Sequence, residues 1–399
     1  MKMIPTLERV LVLGTARSGQ AAAALLARQG VEVIMAGREL GNDADVSLLE
    51  GADVLVKSPG VPRENPLVVA ARIPIWSEVE LGYRLLPNPL LGVTGTNGKT
   101  TTAEWLGEIF RTGSRPVAVA GNVGHALTGV EAPPETWIVC ELSSFQLEDV
   151  HEFRPRVAVL VNLEPDHLDR HGTFEAYRDA KLRIFENQIA EDTAVVPRGY
   201  GRVPGAARRI EFAADDDLPA EPGLPGRHNR ENAAAATAAA RAAGIPDGAI
   251  AEALRSFPGV VHRLELVAEV GGVRFVNDSK ATNTAAARRA LAAFDVPLHV
   301  ILGGSRKGER FDELAADLRG RGRAYLIGET ADEIAEALDR AGVPYERCGE
   351  LATAFAKAAE AASSGEIVLL SPACASYDQF EDFEHRGEEF RRLVQNLSG

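Results

Sequence analysis

Cysteine is scarce: three in 399 residues, Cys140, Cys348 and Cys374, odd in number, widely spaced and without a C-x-x-C pair. That argues against a disulfide framework and a cysteine zinc site, and suits thiols kept reduced. Positive charge is also short. Against 57 Asp and Glu stand 43 Lys and Arg, a net charge of −14, which disfavours nucleic acid or an anionic membrane as the main partner. An anionic substrate can still be held by local basic residues. No apolar run approaches the ~20 residues of a membrane-spanning helix, and Glu8, Arg9 and Arg17 interrupt the N-terminal apolar stretch before a signal-peptide core can form. Fixed-period repeats and low-complexity tails are absent. The expectation is a cytoplasmic protein with neither nucleic-acid nor membrane partners.

What is present is α/β alternation, in a chain long enough for two or three domains. The first block opens with Val10–Gly14, a turn, and an alanine-rich helix from Gly19 to Gln29, followed by strand patterns at 31–35 and 53–56 that lead into Ser58-Pro59-Gly60. It reads as a small Rossmann-like unit, although the turn Gly14-Thr-Ala-Arg-Ser-Gly19 lacks the G-x-G-x-x-G fingerprint. Pro87-Asn88-Pro89 reads as a linker. The second block carries strand patterns at 117–120, 137–140 and 157–161, a Gly/Pro/Asp-rich stretch at 198–226 that reads as loop or short strands, and a helix from Asn229 to Ala243. Phe257-Pro258-Gly259 reads as a second linker. The third block starts with a hairpin turned at Gly271-Gly272 and continues with strands at 298–302, 324–327 and 367–370.

The segment Gly92-Val-Thr-Gly-Thr-Asn-Gly-Lys99-Thr100-Thr101 follows an apolar strand and opens a helix pattern at 102–111. Glycines let backbone N–H groups approach phosphates, the helix start favours their charge, Lys99 reaches the terminal phosphates, and the Thr100 hydroxyl is placed for Mg²⁺. The segment therefore reads as a nucleotide triphosphate site. Glu141, at the end of a strand beside it, is a natural Mg²⁺ ligand, and His167 in Asn162–His171 is a second candidate; His171 itself reads as a helix-start or surface residue. Lys181 lies on an amphipathic helix and, by composition, reads as solvated. Asn277–Asn283, Gly303–Gly308 and Ser371–Phe380 each follow a third-block strand, where an α/β protein presents groups to ligand. From these residues a nucleotide-driven switch and, more weakly, a dinucleotide oxidoreductase stay open as readings; the polar third-block motifs exceed what a switch needs.

GVTGTNGKTT, GNVG, ELSSFQLE, EPDHLDRH, YRDAKLRIFE, GRHNRENAAAA, HRLE, NDSKATN, LGG-x-x-KG and SPACASYDQFEDFEHRGEEF, in this order, resemble the Mur ligase superfamily, and within it the D-glutamate-adding branch. The DNPR-like motif of the diaminopimelate-adding relatives is absent. The resemblance implies an α/β chain of three domains: a Rossmann-like UDP-binding domain at 1–88, a central P-loop ATPase domain with a mostly parallel sheet at 89–256, and a C-terminal Rossmann-like amino-acid domain at 257–399. It implies ATP and Mg²⁺, the substrates UDP-N-acetylmuramoyl-L-alanine and D-glutamate, an acyl-phosphate intermediate, closure of the C-terminal domain during the reaction, and a monomer. By similarity Gly95, Thr96, Asn97, Gly98, Lys99, Thr100 and Thr101 bind ATP phosphates, Asn229 and Asn232 lie near adenine, and Arg263 and Asp278 reach the nucleotide. Thr100, Glu141, His167 and Lys181, the last as a carbamate, would hold magnesium, and Lys99, Glu141, His167 and Lys181 form the catalytic set. The UDP-sugar falls to Arg17, Ser18, Arg38, Ser58, Asn122 and His167; D-glutamate falls to Thr282, Lys307, Ser376, Tyr377 and Phe383. One departure is Ala36-Gly37, where the superfamily branch has an acidic residue and Thr before the first-domain Arg.

Overall fold

Apolar runs without alternation imply strands covered on both faces, and the computed structural model, which describes residues 7–122, 124–224, 226–306 and 310–397, places them in three sheets. The first holds β1 (Arg9–Leu13), β2 (Glu32–Ala36), β3 (Val54–Lys57) and β4 (Ile75–Ser77) in the order β2-β1-β3-β4, all parallel. The second holds β5 (Leu90–Thr94), β6 (Val117–Gly121), β7 (Trp137–Glu141), β8 (Val157–Leu160), β9 (Thr193–Pro197) and β10 (Arg208–Phe212). Its order is β10-β9-β8-β5-β7-β6, again all parallel. The third holds β11 (Glu265–Val270), β12 (Val273–Asn277), β13 (Leu298–Gly303), β14 (Gly322–Ile327), β15 (Tyr345–Gly349) and β16 (Ile367–Leu370). Here the order is β11-β12-β16-β13-β14-β15, with only β11 antiparallel to its neighbour.

The chain separates into two compact units, Met1–Phe257 and Pro258–Gly399, so the first two sheets belong to one body. Buried charge explains why. The Glu80 carboxylate, fully buried on the helix Glu78–Leu85, accepts the N–H groups of His151, Glu152 and Phe153, each at 2.9 Å, and Arg84 Nε at 2.7 Å. Glu78 accepts Thr128 N–H and Oγ at 2.6 and 2.7 Å, and its burial pushes its carboxyl pKa up. Lys57, at the end of β3, places Nζ 2.8 Å from Asp149. Breaking any of these leaves a desolvated group unpaired, which costs several kcal/mol, about 3–5 for a buried ion pair.

Each sheet is wound so that neighbouring loops diverge at one point, and in such folds ligands bind outside the carboxyl ends of the strands there. In the second sheet that point is β5, flanked by β7 and β8, so the loops after these three strands converge. In the third sheet β16 returns between β12 and β13 and gathers the loops after all three. Behind β5 the helix Lys99–Thr112 is fixed by Trp105, which is fully buried, stacks on Phe257 at 4.9 Å and donates Nε1 to Ala253 O at 3.3 Å. Among the described residues no helix is long and apolar enough to cross a membrane.

Candidate functional site

The phosphate-loop sequence forms a strand-to-helix turn. Gly98 caps the helix with φ +74°, and a Cβ there would lie 2.2 Å from Asn232 Oδ1, so both backbone angle and space demand glycine. The loop is laced to the turn after β8: Asn97 N–H donates to Asn162 Oδ1 at 2.8 Å, and Asn97 Nδ2 to Glu164 at 3.0 Å. Thr96 Oγ lies 3.0 Å from the Tyr177 hydroxyl. Lys99 Nζ folds back onto Gly95 O at 3.0 Å and Thr96 O at 2.9 Å. Thr100 and Thr101 are buried in the first helical turn, and the free N–H groups of a helix start favour an anion. Asn229 and Asn232, three apart on the helix Arg227–Ala242, share a face, and Asn232 touches the loop.

Lys181 overturns the solvated reading. It is 2 % exposed, its Nζ donates to Gly95 O at 2.7 Å, and it lies 4.7 Å from the centre of the Tyr177 ring. Burial, and then the neighbouring Lys99 charge, drive its pKa down to about 6, against the pull of Asp166 and Glu141. Glu141 ends β7, buried, with Asn122 Nδ2 on its Oε1 at 3.2 Å. His167 starts the short helix Leu168–His171 with φ +51°, is half exposed, and packs its ring 4.9 Å from Phe145. His171 is not a surface residue: its side chain is 3 % exposed, with Nε2 at 3.0 Å from Ser144 Oγ and Nδ1 at 3.4 Å from Glu148. Burial lowers its pKa. Sequence reasoning missed Tyr177, whose placement four residues before Lys181 on one helix face was the available signal; burial pushes its hydroxyl pKa up to about 12.

Among the described residues no three His, Cys, Asp or Glu side chains converge to cage a metal. The donors beside the loop are hard oxygens, the Thr100 hydroxyl and the Glu141 carboxylate. That set suits Mg²⁺, which takes one or two protein oxygens and completes its shell from phosphate and water.

In the first sheet, Ser58 is buried against the Gly14 turn and donates its N–H to Leu13 O at 2.9 Å. Arg17 opens the helix Arg17–Arg28, with Ser18 half-buried beside it, and donates to Gly124 O at 2.7 Å, reaching the loop that carries Asn122. Arg38 is not drawn in; its side chain is 88 % exposed, 3.8 Å from Asp43. The Ala36-Gly37 departure has a local reason: a Cβ at 37 would meet Thr15 Cγ2 at 2.8 Å, and Thr15 in turn bonds Glu39.

In the second unit Asp278 is buried, accepts Ser371 Oγ at 2.7 Å and Leu264 N–H at 3.2 Å, and has its pKa pushed up to about 7, chiefly by burial and against the Ser371 bond and the Arg263 charge. Arg263 and Thr282 are half-buried, Ser376 is buried, Tyr377 is 71 % exposed, and Phe383 begins the helix Phe383–Leu397 with its ring 6.4 Å from that of His262. Lys307 lies outside the described residues.

Residues 93–209 match the Mur ligase middle domain and residues 262–374 the Mur ligase, glutamate ligase domain. The UDP-N-acetylmuramoylalanine--D-glutamate ligase of Acidobacterium capsulatum is 41 % identical, over 97 % of this chain and 96 % of that protein. The protein of the same name from Streptococcus thermophilus is 38 % identical over the whole of both. Among solved structures, UDP-N-acetylmuramate-alanine ligase from Thermotoga maritima superimposes with TM-score 0.62 at 19 % identity, covering 98 % of this chain and all of that one, a likeness of fold. Matched domains and end-to-end relatives agree, and the chain belongs to the Mur ligase family.

Proposed function

We propose that the protein is an ATP-dependent ligase that joins D-glutamate to UDP-N-acetylmuramoyl-L-alanine in peptidoglycan precursor synthesis. Identity along the full length with relatives named for this reaction carries the reading, and the phosphate loop supports its chemistry. A carboxylate is a poor acyl donor, so the terminal phosphate of ATP is passed to the L-alanine carboxylate. The amine of D-glutamate then attacks the acyl phosphate, and phosphate leaves. Lys99 leaves the loop carbonyls to meet the phosphates, and the loop N–H groups and helix start stabilise charge on the transferring group. Mg²⁺, held through Thr100 and Glu141, would neutralise phosphate charge during transfer. Near pKa 6 the Lys181 amine is largely uncharged at pH 7, the form that adds CO₂ with loss of a proton to give a carbamate. That anion, with Glu141 and His167, would help to hold Mg²⁺ beside the phosphates.

Under this reading residues 1–88 receive the UDP-sugar through Arg17, Ser18, Ser58 and Asn122, with Arg38 the weakest assignment because of its exposure. Residues 89–256 hold ATP. Residues 257–399 take D-glutamate through Thr282, Ser376, Tyr377 and Phe383, and offer Arg263 and Asp278 to the nucleotide. The enzyme acts as a monomer in the cytoplasm, where nucleotide-linked precursors are made. The test is ADP formation with UDP-N-acetylmuramoyl-L-alanine plus D-glutamate, with L-glutamate as control. D-glutamate-dependent turnover is expected; equal rates with either isomer, or with no amino acid, refute the assignment.

A further inference from the structure

Arg386 has no part in the motif roles above, yet it is the largest charged side chain buried in the second unit, with 0 % exposure. From the helix Phe383–Leu397 its guanidinium reaches under the crest of the third sheet. Nε donates to Ser279 Oγ at 3.0 Å and Nη2 to Ser279 O at 2.9 Å, which ties down the loop after β12. Nη2 also donates to Cys374 O at 3.0 Å and Nη1 to Ala375 O at 3.2 Å, which ties down the loop after β16. The β13 loop joins through Ser305, whose N–H donates to the same Ala375 O at 2.9 Å. One side chain thus sets three loops, and the candidate amino-acid residues Thr282, Ser376 and Phe383 lie on or next to them.

The charge itself is the unusual part. Among the described residues no carboxylate oxygen lies within 4.0 Å of this guanidinium; every acceptor is a neutral carbonyl or hydroxyl. Asp378 acts on it from farther off and is engaged by Ser305 Oγ at 3.2 Å and Glu329 N–H at 3.1 Å. A buried cation with only neutral acceptors is expensive, because dipoles return part of the lost hydration and no countercharge returns the rest. Tying loops needs only neutral donors. A net positive charge under the crest is useful if the ligand above it is an anion.

We infer that Arg386 is a positioning residue for the amino-acid substrate: it fixes the loops after β12, β13 and β16 in the arrangement that receives the carboxylates, and its unbalanced charge biases the pocket toward a doubly anionic amino acid. This rests on the D-glutamate reading above. The Phe383 ring and Arg386 are three apart on one helix, so both project from the same face toward the site.

The test is steady-state kinetics of Arg386→Gln and Arg386→Lys beside the wild type, with D-glutamate, D-glutamine, ATP and the UDP-sugar each varied in turn. In Arg386→Gln the KM for D-glutamate rises about ten- to hundredfold, the range expected when charge-assisted contacts are lost, while the KM for ATP stays within about twofold. Preference for D-glutamate over D-glutamine falls in Arg386→Gln and is largely retained in Arg386→Lys, which keeps the charge and loses the fork. An unchanged KM for D-glutamate, or an equal rise for all three substrates, overturns the inference. If the Gln variant does not fold, Arg386→Lys alone decides: a raised KM for D-glutamate with preserved preference supports the role, and wild-type values refute it. A wild-type enzyme without D-glutamate-dependent turnover defeats the underlying reading instead, before any variant is compared.

Discussion

Replacing Lys181 with methionine, close in length and uncharged, should stabilise the protein while it abolishes ligation. In the folded chain the amine has a pKa of about 6, whereas in the unfolded chain it returns to 10.5. At pH 7 folding must therefore discharge it. The span from 10.5 to 7, at about 1.4 kcal/mol per pH unit, sets an upper bound of about 5 kcal/mol. Against that stands the hydrogen bond to Gly95 O, worth about 1 kcal/mol, and relaxation around the charged form trims the gain further. A net stabilisation of about 2–4 kcal/mol is expected, roughly 5–10 °C in Tm for a unit of this size. The pH trend is the sharper signature. Between pH 6 and 10.5 the unfolded wild type binds the extra proton, so wild-type stability climbs with pH relative to the methionine variant and declines as pH falls toward 6. From pH 7 to 9 the gap should close by about 3 kcal/mol. Urea unfolding of both proteins at these two pH values, in buffer freed of CO₂ so that the amine is unmodified, measures it. A variant less stable than wild type at pH 7, or a gap that ignores pH, refutes the buried neutral amine.

Lys99→Ala should lower kcat by roughly a thousandfold or more and leave Tm nearly unchanged, since Nζ bonds Gly95 O and Thr96 O, carbonyls of its own loop that water can reach in its place; full ATP-dependent activity would sink the phosphate-loop assignment. Asp278 has its pKa raised from 3.8 to about 7, so the unfolded chain gives up this proton first and wild-type stability falls as pH rises through that window. Asp278→Asn should flatten the loss, by up to about 4 kcal/mol at pH 8, and parallel wild-type and variant curves between pH 5 and 8 would contradict the buried acid. Glu80→Gln should cost about 2–4 kcal/mol, read as a fall in Tm; a neutral effect would mean that the three N–H groups it holds find water instead.

The long apolar runs gave away the parallel sheets, because a strand buried on both faces has no alternation to hide. β4 and β15 were harder to see: β4 is three residues long, and β15, Tyr-Glu-Arg-Cys-Gly, is a polar sheet edge. The loops at β5, β7 and β8 were legible as site elements because glycine, Lys-Thr and carboxylate chemistry sits right after each strand. Lys181 was not. Its helix pattern is amphipathic, and its burial depends on Gly95, 86 positions away. Arg386 is hidden for the same reason, since Ser279 lies 107 positions earlier. Local pattern tells which residues could react, and long-range packing decides which side chains lose their water.

The Glu80 grip on the backbone of residues 151–153 also bears on how the chain could be re-engineered. A nucleotide-binding sheet attached by a flexible tether could be exchanged between enzymes as a cassette. Here the cassette boundary near Asn88 is crossed by a carboxylate from one side whose three donors lie on the other. A graft that brings in a foreign first sheet must bring its own acid at this position, or the recipient's loop is left with three amides facing a dry seam. Chimeras joined at residues 86–89 should therefore express poorly unless Glu78, Glu80 and Lys57 travel together with Thr128, Asp149 and residues 151–153.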